Sequence, residues 1–238
     1  MNRRTFVVAP PGLPPRIVAI PVRTPLVRKG DDLPALIAQC VHGIASAEDV
    51  VCVSETAVAI AQGRSVAAEF VRPTLLARLL AERAGPYATV NQPESMQLVM
   101  DNVGAWKVLY ASAASAAGKL VGRHGDFYRI LGSAVAEIDG YTGTMPPYER
   151  HIVFGPERPG EAAVAIANAC GALVVIVDVN DLAKVNVLGA SAGVNLDAVM
   201  ACLRENPHGN SDQQTPIVVL KYRPQSGSPP QSPFRVRS

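Results

Sequence analysis

Residues 160–178 read Gly-Glu-Ala-Ala-Val-Ala-Ile-Ala-Asn-Ala-Cys-Gly-Ala-Leu-Val-Val-Ile-Val-Asp. The first part, Gly160–Ala169, is alanine-rich and reads as a helix; Leu173–Asp178 is an unbroken apolar run of strand length, the pattern of a strand covered on both faces. A helix feeding a buried strand is the repeating unit of α/β architecture. The same reading extends in both directions. Ile152–Gly155 reads as a strand before it, after the break at Pro146-Pro147. Ser191–Glu205 carries a helix, Asn206–Asp212 is a polar loop, and Ile217–Tyr222 is a final strand.

Toward the amino end, a short strand is expected around Thr5–Val8 and another at Arg16–Pro21. Asp31 or Asp32 suits an N-cap, since a short carboxylate satisfies the free amides of a first turn. A helix over Leu33–Ile44 follows, with Leu33, Leu36, Ile37 and Cys40 on one face. Val50–Ser54 is a strand, Ala57–Ala61 continues as helix or strand, and Arg72–Arg83 is helical. Pro93–Val103 starts on proline and stops at Gly104, as helices do. Lys107–Ser112 reads as a strand and Ala113–Leu120 as a small-residue helix or turn. Gly118–Gly143 holds six glycines, which let backbone approach backbone or a ligand closely. The expectation is a mixed α/β (α+β) chain with mixed sheets in two lobes. An irregular arm covers 1–15, the folded region 16–223, and a Pro/Ser/Gln-rich tail over 224–238 is expected to be disordered.

Composition excludes several classes. The 238 residues carry 22 Lys+Arg against 20 Asp+Glu, so no strong charge draws nucleic acid, and 5% aromatics make a poor stacking platform. No apolar run approaches the roughly 18 residues of a membrane span. Pro10, Pro11, Pro14 and Pro15 interrupt any signal-peptide core, so a cytoplasmic protein is expected. Cys40, Cys52, Cys170 and Cys202 show no metal-ligand spacing and read as free thiols.

Familiar catalytic signatures are missing. A P-loop ending at Gly118-Lys119 needs glycine where Ala113 stands and Ser or Thr where Leu120 stands. Gly189 and Gly193 lie in no full dinucleotide fingerprint. His42, His124, His151 and His208 are scattered, and only His124, in the Gly-rich centre, is retained as a candidate. Charged residues are 18%, below the roughly 25% of ordinary domains, so a carboxylate in an apolar stretch stands out. Glu55 follows the strand Val50–Ser54, Asp139 ends an apolar stretch, and Asp178 and Asp181 follow the most hydrophobic strand. Oxygen ligands at strand ends suit Mg²⁺ or Mn²⁺; Asp and Asn there also suit turns and caps. Lys119 and Arg123, four apart, would share a helix face and form an anion site with the nearby glycines; a solvated basic face is the competing reading.

A set of motifs in order resembles one ligase family. Lys29-Gly30-Asp31-Asp32-Leu33, a helix, Glu48-Asp49-Val50-Val51-Cys52-Val53-Ser54 and Ala61-Gln62-Gly63-Arg64 are similar to the amino-terminal signature of the coenzyme F-420-0:L-glutamate (gamma-glutamyl) ligases. Gly125-Asp126-Phe127-Tyr128, Ile138-Asp139-Gly140, Val177-Asp178-Val179-Asn180-Asp181-Leu182 and Asn206-Pro207-His208-Gly209 resemble a divergent bacterial branch. The resemblance implies a two-lobed fold and a homodimer. It implies GTP, or another nucleoside triphosphate, as co-substrate with Mg²⁺ or Mn²⁺. An acyl phosphate formed on a small-molecule carboxylate would be displaced by a glutamate amine. Site residues expected on this basis are Ser54, Glu55, Lys119 and Arg123 toward the nucleotide and Asp139, Asp178 and Asp181 toward the metal. Where the family carries Ser-Lys after the first central strand, Glu55-Thr56 stands here, and a second lysine is Ile60. An Ala-Gly-Val-Asp-x-Ser-Asn segment is absent. Two alternatives therefore accompany the ligase: a non-catalytic relative binding an anionic small molecule or a partner protein, and a hydrolase of gamma-glutamyl or phosphate bonds.

Overall fold

The computed structural model describes residues 6–8, 17–84, 88–132, 135, 138, 140, 147–179, 185–204, 214–223 and 232–236. They divide into two compact units: Met1–Gly63 with Pro156–Ser238, and Arg64–Gly155.

The first unit is built on a six-stranded mixed sheet. Its strands are β1 (Phe6–Val8), β2 (Ile17–Val22), β3 (Val50–Ser54), β6 (Leu173–Val179), β7 (Val185–Ala190) and β8 (Ile217–Tyr222), in the order β1-β2-β8-β3-β6-β7. β3 and β6 run parallel, with Val50 opposite Leu173 and Ser54 opposite Val177. The other neighbours are antiparallel. Val50–Val53 and Leu173–Val177 are buried without alternation, as expected of strands covered on both faces.

One face, carrying Ile17, Ala19, Val50, Cys52, Val175, Val218 and Leu220, packs against Val199, Cys202 and Leu203 of a helix over Leu196–Leu203. Phe234 fills the same core. The alternate residues Val18, Val51, Val53, Val174, Ile176 and Val219 are buried on the other face. Helices α1 (Leu33–Val41), α2 (Glu55–Ala61) and α7 (Pro159–Cys170) belong to that side; α1 packs on α7, which lies along β6 and β7.

Local chemistry explains these elements. Asp32 is the N-cap of α1, its Oδ1 accepting the Ala35 N–H at 3.1 Å, while Asp31 closes the preceding turn by accepting the Arg28 N–H at 2.7 Å. Gly189 leaves β7 with no side chain where the Pro159–Gly160 backbone crosses it. That close approach is the work of the glycine, not a nucleotide fingerprint. The strand β7 itself was not among those expected; it is a partly exposed edge whose register shifts between Ile176 and Val177.

The second unit is mainly helical. It holds α3 (Leu75–Arg83), α4 (Pro93–Val103), α5 (Ala105–Leu120), α6 (Asp126–Leu131) and a two-stranded sheet of β4 (Ser65–Ala67) and β5 (His151–Val153). Its core joins Ala77, Ala81, Met96, Val99, Met100, Val108, Ala111, Leu131 and Ile152. Lys107–Ser112, expected as a strand, is part of the single helix α5. Val108, Ala111 and Gly118 of α5 are buried while Trp106 and Tyr110 are exposed, a helical rather than a two-residue repeat.

Ser232–Val236 lie inside the stretch expected to be disordered, and they are docked. Phe234 is fully buried, Arg235 bridges to Val194, and the Val236 N–H donates to the Gly193 carbonyl at 3.0 Å.

Candidate functional site

In the first unit, β3 ends at Ser54 and α2 begins at Glu55 with no connecting loop. The Ser54 N–H donates to the Pro216 carbonyl at 2.8 Å, which fixes the end of β3 against the start of β8. Ser54 is also the N-cap of α2, yet its hydroxyl makes no capping bond. Because Ser54 faces Val177 in the parallel ladder, Glu55, the first residue of α2, and Asp178 of β6 each follow one member of that pair. Glu55 is 7% exposed, an unusual burial for a carboxylate. Asp178 is half-buried and pairs in register with Asn186 of β7.

Antiparallel neighbours bring further groups to this edge. Val22 faces Ile217, so β2 ends beside the start of β8, and the Thr24 N–H donates to the Gln214 carbonyl at 3.3 Å. Gln214 holds a left-handed backbone (φ 47°), and Thr24 is buried. One sheet edge thus gathers Thr24, Ser54, Glu55, Asp178, Gln214 and Thr215 outside the carboxyl ends of the parallel pair. That is where open α/β sheets place their ligands.

Thr24 and Gln214 were not among the expected site residues. β2 and β8 are nearly 200 residues apart in sequence and meet only through the sheet register.

Lys119 and Arg123 belong to the second unit, and they do not share a helix face. α5 ends at Leu120, Gly122 takes φ 76°, and the Arg123 N–H folds back to the Gly118 carbonyl at 2.8 Å. Arg123 lies beyond the helix, its Nη2 3.2 Å from Asp126 Oδ1, and Arg129 bonds the same oxygen. Asp126 is 3% exposed, so two arginines serve one buried carboxylate. Gly118 is the notch that admits it: a side chain there would collide with Asp126. Lys119 is exposed on the last turn of α5, where a cation also complements the helix dipole. His124 is exposed in the turn between α5 and α6.

Asp139 and Asp181 lie outside the described residues. Among the described residues no three His, Cys, Asp or Glu side chains gather as a metal centre. All four cysteines are free; Cys52 and Cys202 are buried, and burial pushes the Cys202 thiol up to about 12.

The model of the F420-0:gamma-glutamyl ligase family matches residues 21–194. The chain belongs to this family. The gamma-glutamyl ligase match runs from the end of β2 through the whole second unit to Val194, and so takes in Ser54, Glu55 and Asp178. β8 and the docked segment at 232–236 lie beyond it. No curated protein matches the chain. Membership makes small molecules the substrate class of this gamma-glutamyl ligase relative, and no helix among the described residues is long and apolar enough to cross a membrane.

Proposed function

We propose that the chain is a nucleotide-dependent gamma-glutamyl ligase. A substrate carboxylate oxygen attacks the γ-phosphorus of a nucleoside triphosphate, GTP in the first instance, and the bond to the β-phosphate oxygen breaks. The acyl phosphate is then attacked by the amine of a glutamate-like substrate. The carbon–oxygen bond to phosphate breaks, and the amine proton leaves with the phosphate. The observation that carries this reading is the placement of Ser54, Glu55 and Asp178 at the carboxyl ends of the neighbouring parallel strands β3 and β6, within the stretch matched by the ligase family.

Each residue has a role its placement supports. The Ser54 hydroxyl, uncommitted to the α2 cap, donates to a phosphate oxygen. Glu55, buried at the first turn of α2, takes a proton from the incoming ammonium group and orients the neutral amine for attack. Asp178 is the proposed metal ligand, with Asp139 and Asp181. Few protein oxygen donors suffice for Mg²⁺ or Mn²⁺, because such an ion keeps several waters and is shared with substrate phosphates rather than caged by protein. When bound, it neutralises charge on the transferring phosphoryl group. The reading also takes a homodimer in the cytoplasm as the working form.

The test is isothermal titration of GTP with Mg²⁺ or Mn²⁺, paired with release of GDP that requires both a carboxylate acceptor and glutamate. Asp178→Asn is expected to weaken metal-dependent nucleotide binding by about tenfold or more, since a charge-assisted contact contributes roughly 1.5–3 kcal/mol. No metal-dependent binding of any nucleoside triphosphate would overturn the ligase reading. Lys119→Ala and Arg123→Ala, in the second unit, are measured alongside.

A second reading has its own support. Ile60 stands where the family carries a lysine and is 6% exposed, so that face of α2 is committed to packing. A non-catalytic relative would bind an anionic small molecule without turnover, and the same titration separates the two.

A further inference from the structure

The carboxy-terminal segment is seated like a bound peptide. The Asn195 N–H donates to the Phe234 carbonyl at 2.6 Å and the Val236 N–H to the Gly193 carbonyl at 3.0 Å, with Val194 and Arg235 in an antiparallel bridge. This is strand addition, in which main-chain bonds hold an extended segment and side-chain pockets select it. Phe234 is the anchor, fully buried against the sheet and the helix over Leu196–Leu203. On its two flanks are polar clasps. The Ser232 hydroxyl donates to the Glu48 carbonyl at 2.8 Å, and Arg235 reaches the Glu48 carboxylate at 3.1 Å and the Ala47 carbonyl at 2.7 Å. The Asn195 side chain does double duty: its amide donates to the Pro233 carbonyl at 3.0 Å while its oxygen caps the helix it begins.

We infer that the first unit contains a peptide-binding groove, and that its ligand is the chain's own Ser232-Pro233-Phe234-Arg235-Val236. One buried aromatic surrounded by rim contacts is the energetic layout of a recognition hot spot. The groove walls, at 47–48 and 193–203, are separate in sequence from their ligand. The intervening residues 223–231, Arg-Pro-Gln-Ser-Gly-Ser-Pro-Pro-Gln, have the composition of a tether. The family match covers 21–194, so it takes in the wall at 47–48 and stops short of the helix over Leu196–Leu203 and of the bound segment. The groove's ligand class is an extended peptide with an aromatic–arginine pair and no acidic residue, facing Glu48.

The experiment uses the full chain with a protease site replacing Gly227-Ser228. After cleavage, the released fragment carrying residues 229–238 is expected to co-elute with the body, and excess synthetic peptide of residues 230–238 displaces it. The Phe234→Ala peptide should compete about 30-fold more weakly or worse. A fragment that separates from the body with no change in thermal midpoint overturns the proposal, because the groove then holds nothing. So does a body that unfolds on cleavage and is not restored by the peptide, since the segment is then an inseparable part of the core. Equal competition by the Phe234→Ala peptide overturns it as well. The full-length Phe234→Ala protein supplies an independent reading: a lowered midpoint with the fold retained supports the groove, and an unchanged midpoint counts against it.

Discussion

Cys52 and Cys202 lie in one core, fully out of reach of water. Burial holds both thiols in the neutral form, and a charge on Cys202 would make ionising Cys52 costlier still. In the unfolded chain each ionises at its ordinary value of 9.0, whereas folded Cys202 waits until about 12. The unfolded state therefore releases protons first, and stability falls as pH rises from about 9. Urea midpoints measured from pH 8 to 11 should decline and then flatten in a Cys52→Ala/Cys202→Ala double variant. A decline of the same slope in that variant would assign the effect to other groups. At this scale the sequence singled out carboxylates by what precedes them and gave little of their surroundings. Asp178 and Glu55 stood out because apolar strands precede them. Asp126, a buried carboxylate held by two arginines, did not, because its partners Arg123 and Arg129 and its notch at Gly118 depend on how α5 ends.

Elements announced themselves where local chemistry was decisive. Asp32 before Leu33-Pro34 gave the start of α1, and Asp32→Ala should cost about 1 kcal/mol of stability by chemical denaturation. Loss of less than a few tenths would mean that water or Asp31 satisfies the Ala35 amide equally well. Pro93 and Gly104 likewise bound α4. By contrast, Lys107–Ser112 carries aromatic and β-branched residues that favour a strand in isolation, and packing of Val108 and Ala111 overrides that preference. The segment at 232–236 was hidden for a different reason. Its surroundings are rich in proline, serine and glutamine, and a single phenylalanine is too little signal to announce a buried anchor. Only the walls it meets, far away in the chain, give it a place.

For the whole molecule, the mixed α/β character followed from alternating helices and buried strands. The order of the sheet did not, because register between β2, β8 and β3 is a property of long-range pairing. The second unit is one continuous stretch, Arg64–Gly155, with its own core. Expressed alone, it should show cooperative unfolding by helical circular dichroism; a non-cooperative melt would mean that this core is insufficient. A chain ending before Ile217 is expected to lack a stable first unit altogether, read as loss of a cooperative transition beyond that of the helical unit.

The position of β8 has a consequence for biosynthesis. β8 is the last strand among the described residues and sits between β2 and β3, which are made early. Residues 64–155 are complete well before Tyr222 is added, so during translation the helical unit can form while the sheet is still missing an interior strand. At about 5–20 residues per second, that interval lasts on the order of several seconds. Through it, β2 and β3 each present an unpaired apolar edge, with only each other or a neighbouring nascent chain to pair with. Slowing synthesis between codons 155 and 217 is expected to lengthen this exposure and raise the demand for chaperones.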